Sequence, residues 1–144
     1  MGIDAMGRVA VAAKIENVAE PFLSEKGMLL PEQVHRIEVS DALADTGATT
    51  LSMPRSLINQ LDLSPLRART ARTSAVLARL QIYGAVRLTV QGRECTVDVA
   101  EVPDDCPVLI GQVPLELLDF VVDPASQRLI GKPAHGGDQM LEMY

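Results

Sequence analysis

Within residues 7–18, Val9, Val11 and Ile15 recur two or four positions apart between polar or small side chains. That period of two predicts a strand with one buried face. Alternation resumes over residues 34–39, where Ile37 and Val39 oppose Arg36 and Glu38. Ser40-Asp41 then reads as a turn, and Ala42-Leu43-Ala44 as a short strand running straight into Asp45. Residues 21–31, with Ser24-Glu25-Lys26-Gly27, read as a connecting loop.

Beyond Asp45 the period changes. Ser52 is placed to cap a short helix with Pro54 in its first turn, and Leu57, Ile58 and Leu61 would form its apolar stripe. From residue 67 to 102 the pattern returns to strands: Leu80, Ile82, Val86, Leu88, Val90, Val97 and Val99 alternate around Tyr83-Gly84 and Gln91-Gly92. Gln91-Gly92 suits a tight hairpin, since glycine accepts positive φ at no steric cost. A Pro-bounded polar loop at 103–107 leads to Val108-Leu109-Ile110, an apolar strand that stops at Gly111. A short helix over 114–118, a strand at 120–123 and a last one at 128–130 follow, and the Gly-rich tail after Gly131 reads as mobile. Many short strands with one or two short helices predict an all-β domain, a compact barrel or sandwich.

Composition narrows this reading. A chain of 144 residues holds one core and hardly two. Aromatics are 3% and Trp is absent, so the core must be built from Val, Leu, Ile and Ala. The net charge of −6 argues against phosphate-backbone binding, and the single cationic cluster, Arg67, Arg69, Arg72 and Arg79, reads as the solvent side of a strand. Nucleic acid and membrane are therefore not expected partners: no apolar run approaches the roughly 18 residues of a span. The first residues lack a signal-peptide pattern, and the expectation is a soluble, cytoplasmic protein. Residues 1–6 read as an N-terminal extension or expression remnant, 7–130 as the domain and 131–144 as a polar tail. Cys95 and Cys106 are too few for a disulfide framework or a four-ligand metal site and are expected to be free thiols.

One carboxylate stands where a catalyst would. Asp45 ends an apolar strand, and Thr46-Gly47-Ala48 keeps its flank clear of bulk, so that another backbone or a substrate can approach. Asp-Thr-Gly is also an ordinary turn sequence, and its weight comes from its surroundings. The segments Ala44-Asp45-Thr46-Gly47-Ala48-Thr49, Val108-Leu109-Ile110-Gly111, and Pro114-Leu115-Glu116 followed by Val122-Asp123 occur in an order that resembles the retropepsin-like aspartic peptidases, in particular their bacterial members. The resemblance covers residues 7–130.

The resemblance implies a closed acid-protease barrel acting as a homodimer, an endopeptidase on extended peptide or protein segments that needs no metal or organic cofactor. Peptidases of this kind need two carboxylates that share one water and one proton. This chain carries one Asp-Thr-Gly, so the second Asp45 must come from another copy across a two-fold axis. Thr46 would bond with its counterpart beneath the pair, Gly47 would offer its carbonyl to the substrate, Ala48 would complete the small-residue loop, and Ile110-Gly111 would support that loop from behind. The family's flap hairpin falls near residues 69–80, with Arg72, Thr73, Ser74 and Ala75 at its tip; this stretch lacks the usual glycine.

Two departures from the retroviral pattern occur together. Thr49 and Gln112 stand where those enzymes place a paired Asp and Arg, so no buried charge is stranded. Elsewhere His35 and His135 lie far apart and read as surface or satisfied residues, Asp104-Asp105 lacks the ligand spacing of a calcium loop, and Asp119 and Asp123 read as capping or turn residues. The alternative functional reading is a non-catalytic peptide-binding or dimerisation module on the same fold. A third is an unrelated small β domain whose Asp-Thr-Gly is only a turn.

Overall fold

The computed structural model describes residues 8–18, 26–27, 30, 34–72 and 77–140. The protein is mostly β. Its strands are β1 (Arg8–Asn17), β2 (Arg36–Asp45), β3 (Leu51–Pro54), β4 (Ser64–Arg72), β5 (Leu77–Val90), β6 (Arg93–Val102), β7 (Leu109–Ile110), β8 (Phe120–Asp123) and β9 (Arg128–Gly131). Helix α1 (Arg55–Gln60) follows β3 directly, α2 (Gln112–Leu118) follows β7, and a 3-10 turn spans Pro133–His135.

Seven strands form one sheet in the order β1-β2-β7-β3-β6-β5-β4, and β1 also pairs with β5 through Lys14–Thr89 to Asn17–Val86. Six strands therefore close into a ring-like sheet, leaving β4 outside it on the far edge of β5. β8 and β9 make a separate hairpin. The interior of the ring is filled by Ile15, Leu51, Met53, Leu88, Val99 and Ile110, all essentially inaccessible, with Ile58 and Leu61 of α1 and Leu115 and Leu118 of α2 closing it. Aliphatic side chains dominate this core, joined by Met53 inside it and by Phe120, Tyr83 and Cys95 at its margin.

β1 buries Val9, Val11, Ala13 and Ile15 in strict alternation. β2 corrects the predicted turn at Ser40-Asp41. These two residues stand opposite Ala12 alone, a β-bulge inside one continuous strand. The extra residue explains the change of phase between Ile37/Val39 and Ala42/Ala44: it returns even-numbered residues to the core face that odd-numbered ones held before it. A second bulge lies at Gly84-Ala85 in β5, where the chain continues rather than turning. A side chain at Gly84 would run into Leu66 and approach Asp98 Oδ1 to 2.8 Å.

Ser52 is likewise not a helix cap, because it lies in β3, paired with Leu109 and Ala100. The cap comes from a distant loop: the Ser56 N–H donates to Asp104 Oδ1 at 2.9 Å. The predicted apolar stripe of α1 does face inward, with Ile58 and Leu61 buried and Leu57 half-buried. At Gln91-Gly92 both residues have positive φ, 50° and 81°, the geometry of a two-residue hairpin turn. The tail is folded back instead of mobile as far as residue 140. Arg93 donates to the carbonyls of Leu118, Asp119 and Gly137, and Gln139 Nε2 to those of Leu117 and Glu94. The predicted N-terminal extension and most of the 21–31 loop lie outside the described residues. Among the described residues no helix is long and apolar enough to cross a membrane.

Candidate active site

β7 is wedged between the strand that leads into Asp45 and the strand that leaves its loop. It runs parallel to β2 (Leu43–Leu109, Ala44–Ile110) and antiparallel to β3 (Leu51–Ile110, Ser52–Leu109). The chain thus descends β2, turns through Asp45 and residues 46–50, and returns as β3 with β7 held between the two. Flanked on both edges, this segment buries Val108 and Ile110 in the core and half-buries Leu109, which accounts for the apolar run Val108-Leu109-Ile110.

Where β7 ends, its backbone locks onto the loop. The N–H groups of Gly111, Gln112 and Val113 donate to the carbonyls of Thr50 (3.0 Å), Ala48 (2.8 Å) and Thr49 (2.9 Å). Gly111 is required by contact, not by φ. A Cβ there would lie 2.5–2.6 Å from Thr49 C, Thr50 N and Thr50 O, which are backbone atoms that cannot swing aside. The same three donors are the otherwise unsatisfied N–H groups at the start of α2. One arrangement therefore caps the helix and fixes the loop.

The Asp45 carboxylate is held from two sides. Gly47 N–H donates to Oδ1 at 2.8 Å, and Ala48 N–H to the Asp45 carbonyl at 3.1 Å, which closes the turn. Arg8 Nε donates to Oδ2 at 3.0 Å. Arg8 faces Asp45 across the β1–β2 ladder, and its side chain is 44% exposed against 12% for Asp45. Thr46 and Gly47 are exposed and Ala48 is half-buried. Asp45, Thr46, Gly47, Ala48, Ile110 and Gly111 are thus brought into one place. Of the flap residues, Arg72 is the last residue of β4, paired with Leu77 and exposed, while Thr73, Ser74 and Ala75 lie outside the described residues.

Three polar clusters escaped sequence reasoning. Only the β1–β2 register sets Arg8 beside Asp45, so no local pattern marks it. Tyr83 OH donates to Glu101 Oε1 (2.7 Å), and Arg55 donates to Glu101 Oε2 through Nε (3.0 Å) and a terminal nitrogen (2.8 Å). The Tyr83 and Arg55 hydrogen bonds hold the Glu101 carboxyl below its ordinary range, and the bond to Glu101 pushes the Tyr83 phenol up. The third cluster joins His135 Nδ1 to Asp119 Oδ2 at 2.6 Å, both side chains being buried. The Met140 N–H also donates to Asp119 Oδ2, at 3.0 Å. Asp119 closes α2 in the left-handed conformation, φ 60°, and Asp123 accepts from Ala125 N–H and Ser126 Oγ in the β8–β9 turn, so both serve as capping or turn residues.

Cys95 and Cys106 are half-buried free thiols, and burial pushes the Cys95 thiol up to about 11. Among the described residues no group of three or more His, Cys, Asp or Glu is placed to hold a metal. The four arginines at 67, 69, 72 and 79 are exposed, but they do not share one side of a strand: Arg67 and Arg69 stand opposite Ile82 and Leu80, whereas Arg79 stands opposite Thr70 on the other face. No protein-family model matches the chain, and no curated protein matches it.

Proposed function

We propose that the chain is a retropepsin-like aspartic peptidase whose site is completed when a second copy brings its own Asp45 against the first. The observation that carries this reading is the anchoring of the Asp45 loop. Three backbone hydrogen bonds from the end of β7, and the space left by Gly111, fix the loop from behind, while the Gly47 N–H sets the carboxylate's orientation. Such rigidity is what a catalytic carboxylate needs, because acid–base transfer depends on placement within hydrogen-bond reach of the reacting group. The exposed Thr46-Gly47 edge leaves room for a partner and a substrate.

In that dimer one Asp45 carboxylate takes a proton from the shared water as it attacks the scissile carbonyl carbon. The other, carrying the pair's proton, donates it to the carbonyl oxygen. Collapse of the tetrahedral diol breaks the C–N bond: one diol hydroxyl returns its proton to the pair, and the amine leaves with a proton from the pair. The acid product retains the water oxygen, so the pair ends with the single proton it began with. Asp45 Oδ2 exchanges its contact with the half-exposed Arg8 for the shared water and the partner. The closed acid-protease barrel is part of the same proposal, supported by the ring-like sheet and the β2–β7–β3 arrangement.

The Arg8–Asp45 contact is the observation that favours a second reading, a peptide-binding module without catalysis, because it already engages the carboxylate's charge. Cleavage of a peptide library from acid to neutral pH, with the unsubstituted chain beside Asp45→Asn, separates the two. Cleavage by the former and none by the latter supports the peptidase. Equal cleavage by both, or none by either with peptide binding retained, removes it.

A further inference from the structure

The β4–β5 arm has a charge unlike that of the rest of the molecule. Residues 64–84 contain four arginines and no acidic residue, while the remainder of the chain carries nine basic against nineteen acidic side chains. Arg67 has an acidic partner, Asp98 at 3.4 Å on an exposed site. Arg69, Arg72 and Arg79 have none among the described residues. Unpaired cations held close together repel one another, and that cost is recovered when an anion binds.

The arm also presents a free edge. β4 pairs with β5 alone, so alternate backbone N–H and C=O groups along nine residues have no partner strand among the described residues.

We propose that the β4–β5 arm docks extended polypeptide segments rich in Asp and Glu, which add as a strand to β4 and set their carboxylates beside Arg67, Arg69, Arg72 and Arg79. An added strand directs successive side chains to opposite faces of the sheet. Arg67 and Arg69 wait on one face, Arg72 and Arg79 on the other, so acidic residues at either parity meet a guanidinium. A second copy is excluded from this edge by its own arginines, since like charges on adjacent strands repel. Nucleic acid fits less well. It brings no strand backbone, the arm's one aromatic, Tyr83, has its hydroxyl tied to Glu101, and the surrounding chain is acidic. As a statement of substrate class this rests on the peptidase reading; as a binding surface it is tested without it.

The test uses the full chain carrying Asp45→Asn, which prevents turnover, and three labelled peptides of equal length and equal apolar positions. Their polar positions are Asp/Glu, Asn/Gln or Lys/Arg, and binding is read by fluorescence anisotropy. The acidic peptide should bind about tenfold more tightly than the Asn/Gln peptide at low salt. That preference should shrink as salt rises to about 0.5 M. Adding Arg69→Glu and Arg79→Glu should abolish it, with circular dichroism reporting the fold. Equal affinity for the acidic and Asn/Gln peptides overturns the proposal whatever the substituted arm does, as does a preference that survives a folded double substitution. Displacement of the acidic peptide by oligothymidylate or phosphatidylserine vesicles at lower concentration than by unlabelled acidic peptide also overturns it, because the arm would then serve a phosphate polyanion. Acidic peptides that bind but are not cut by the unsubstituted chain remove only the peptidase reading. Peptides cut with no acidic preference in binding remove only this one.

Discussion

Asp45 and Asp119 are both buried carboxylates at the end of an element, and each meets one basic side chain and one backbone N–H. Their surroundings differ in what closes them. The partner of Asp119 is His135, as buried as Asp119 itself, and a folded-back tail covers both. The partner of Asp45 is Arg8, nearly half exposed, and the flanking Thr46-Gly47 is open. Asp119 thus spends its hydrogen-bonding capacity on the fold, pinning the tail to the end of α2. Asp45 has a rigid loop behind it and a replaceable partner in front. A sealed carboxylate serves stability; one fixed beside an open edge and a half-exposed partner is the better placed for chemistry.

Asp45→Asn should produce the largest effect, an activity loss of about a thousandfold or more with the fold retained, measured by peptide cleavage and circular dichroism. Asp119→Asn should leave cleavage per folded molecule unchanged, and equal losses at the two sites would break the comparison. Gly111→Ala comes next. Its Cβ would press on the Thr49–Thr50 backbone, so an overpacking cost of about 1–3 kcal/mol or more is expected in urea unfolding, together with lower activity as the Asp45 loop shifts.

Asp119→Asn then sharpens the contrast through pH. The substitution keeps a residue type that tolerates φ 60° and removes only the charge. The His135 hydrogen bond first, and the Met140 N–H after it, hold the Asp119 carboxyl below its ordinary range. A depressed folded-state value contributes stability above the unfolded value, near 4, and that contribution is lost as pH falls through the lowered folded value. Thermal unfolding should therefore show a lower Tm for the variant at pH 7 and a gap that closes in strong acid. A gap independent of pH would contradict the assignment. The smallest effect belongs to Arg8→Gln. A half-exposed ion pair is worth less than about 1 kcal/mol, and urea midpoints should shift little.

What could be read from the chain divides along the same line as the two aspartates. Strand alternation, the Gln91-Gly92 hairpin and the apolar run into Gly111 are local patterns, and the β1, β5–β6 and β7 segments follow them. Asp45 with its small-residue flank was visible for the same reason. Features set by distant partners were not. Ser40-Asp41 has turn chemistry, but pairing with β1 on one side and the core on the other absorbs it as a bulge. Ser52 is a good cap by residue type, yet β3 is drawn between β6 and β7 and the cap passes to Asp104, 48 positions from Ser56. Arg8 is 37 positions from Asp45, and His135 is 16 from Asp119 across a glycine-rich segment that reads as loose. Neither contact leaves a trace in periodicity.

The central claim is that a working site needs two Asp45 carboxylates from two chains. Unsubstituted and Asp45→Asn chains, unfolded together in equal amounts and refolded as a mixture, test it most directly. Random pairing would leave about one dimer in four with both carboxylates, so cleavage per unsubstituted chain should fall to about half of that in the unmixed protein, and further as the Asn chain is raised. Cleavage per unsubstituted chain that stays constant across the mixing series would show that each chain works alone, and would contradict the shared site.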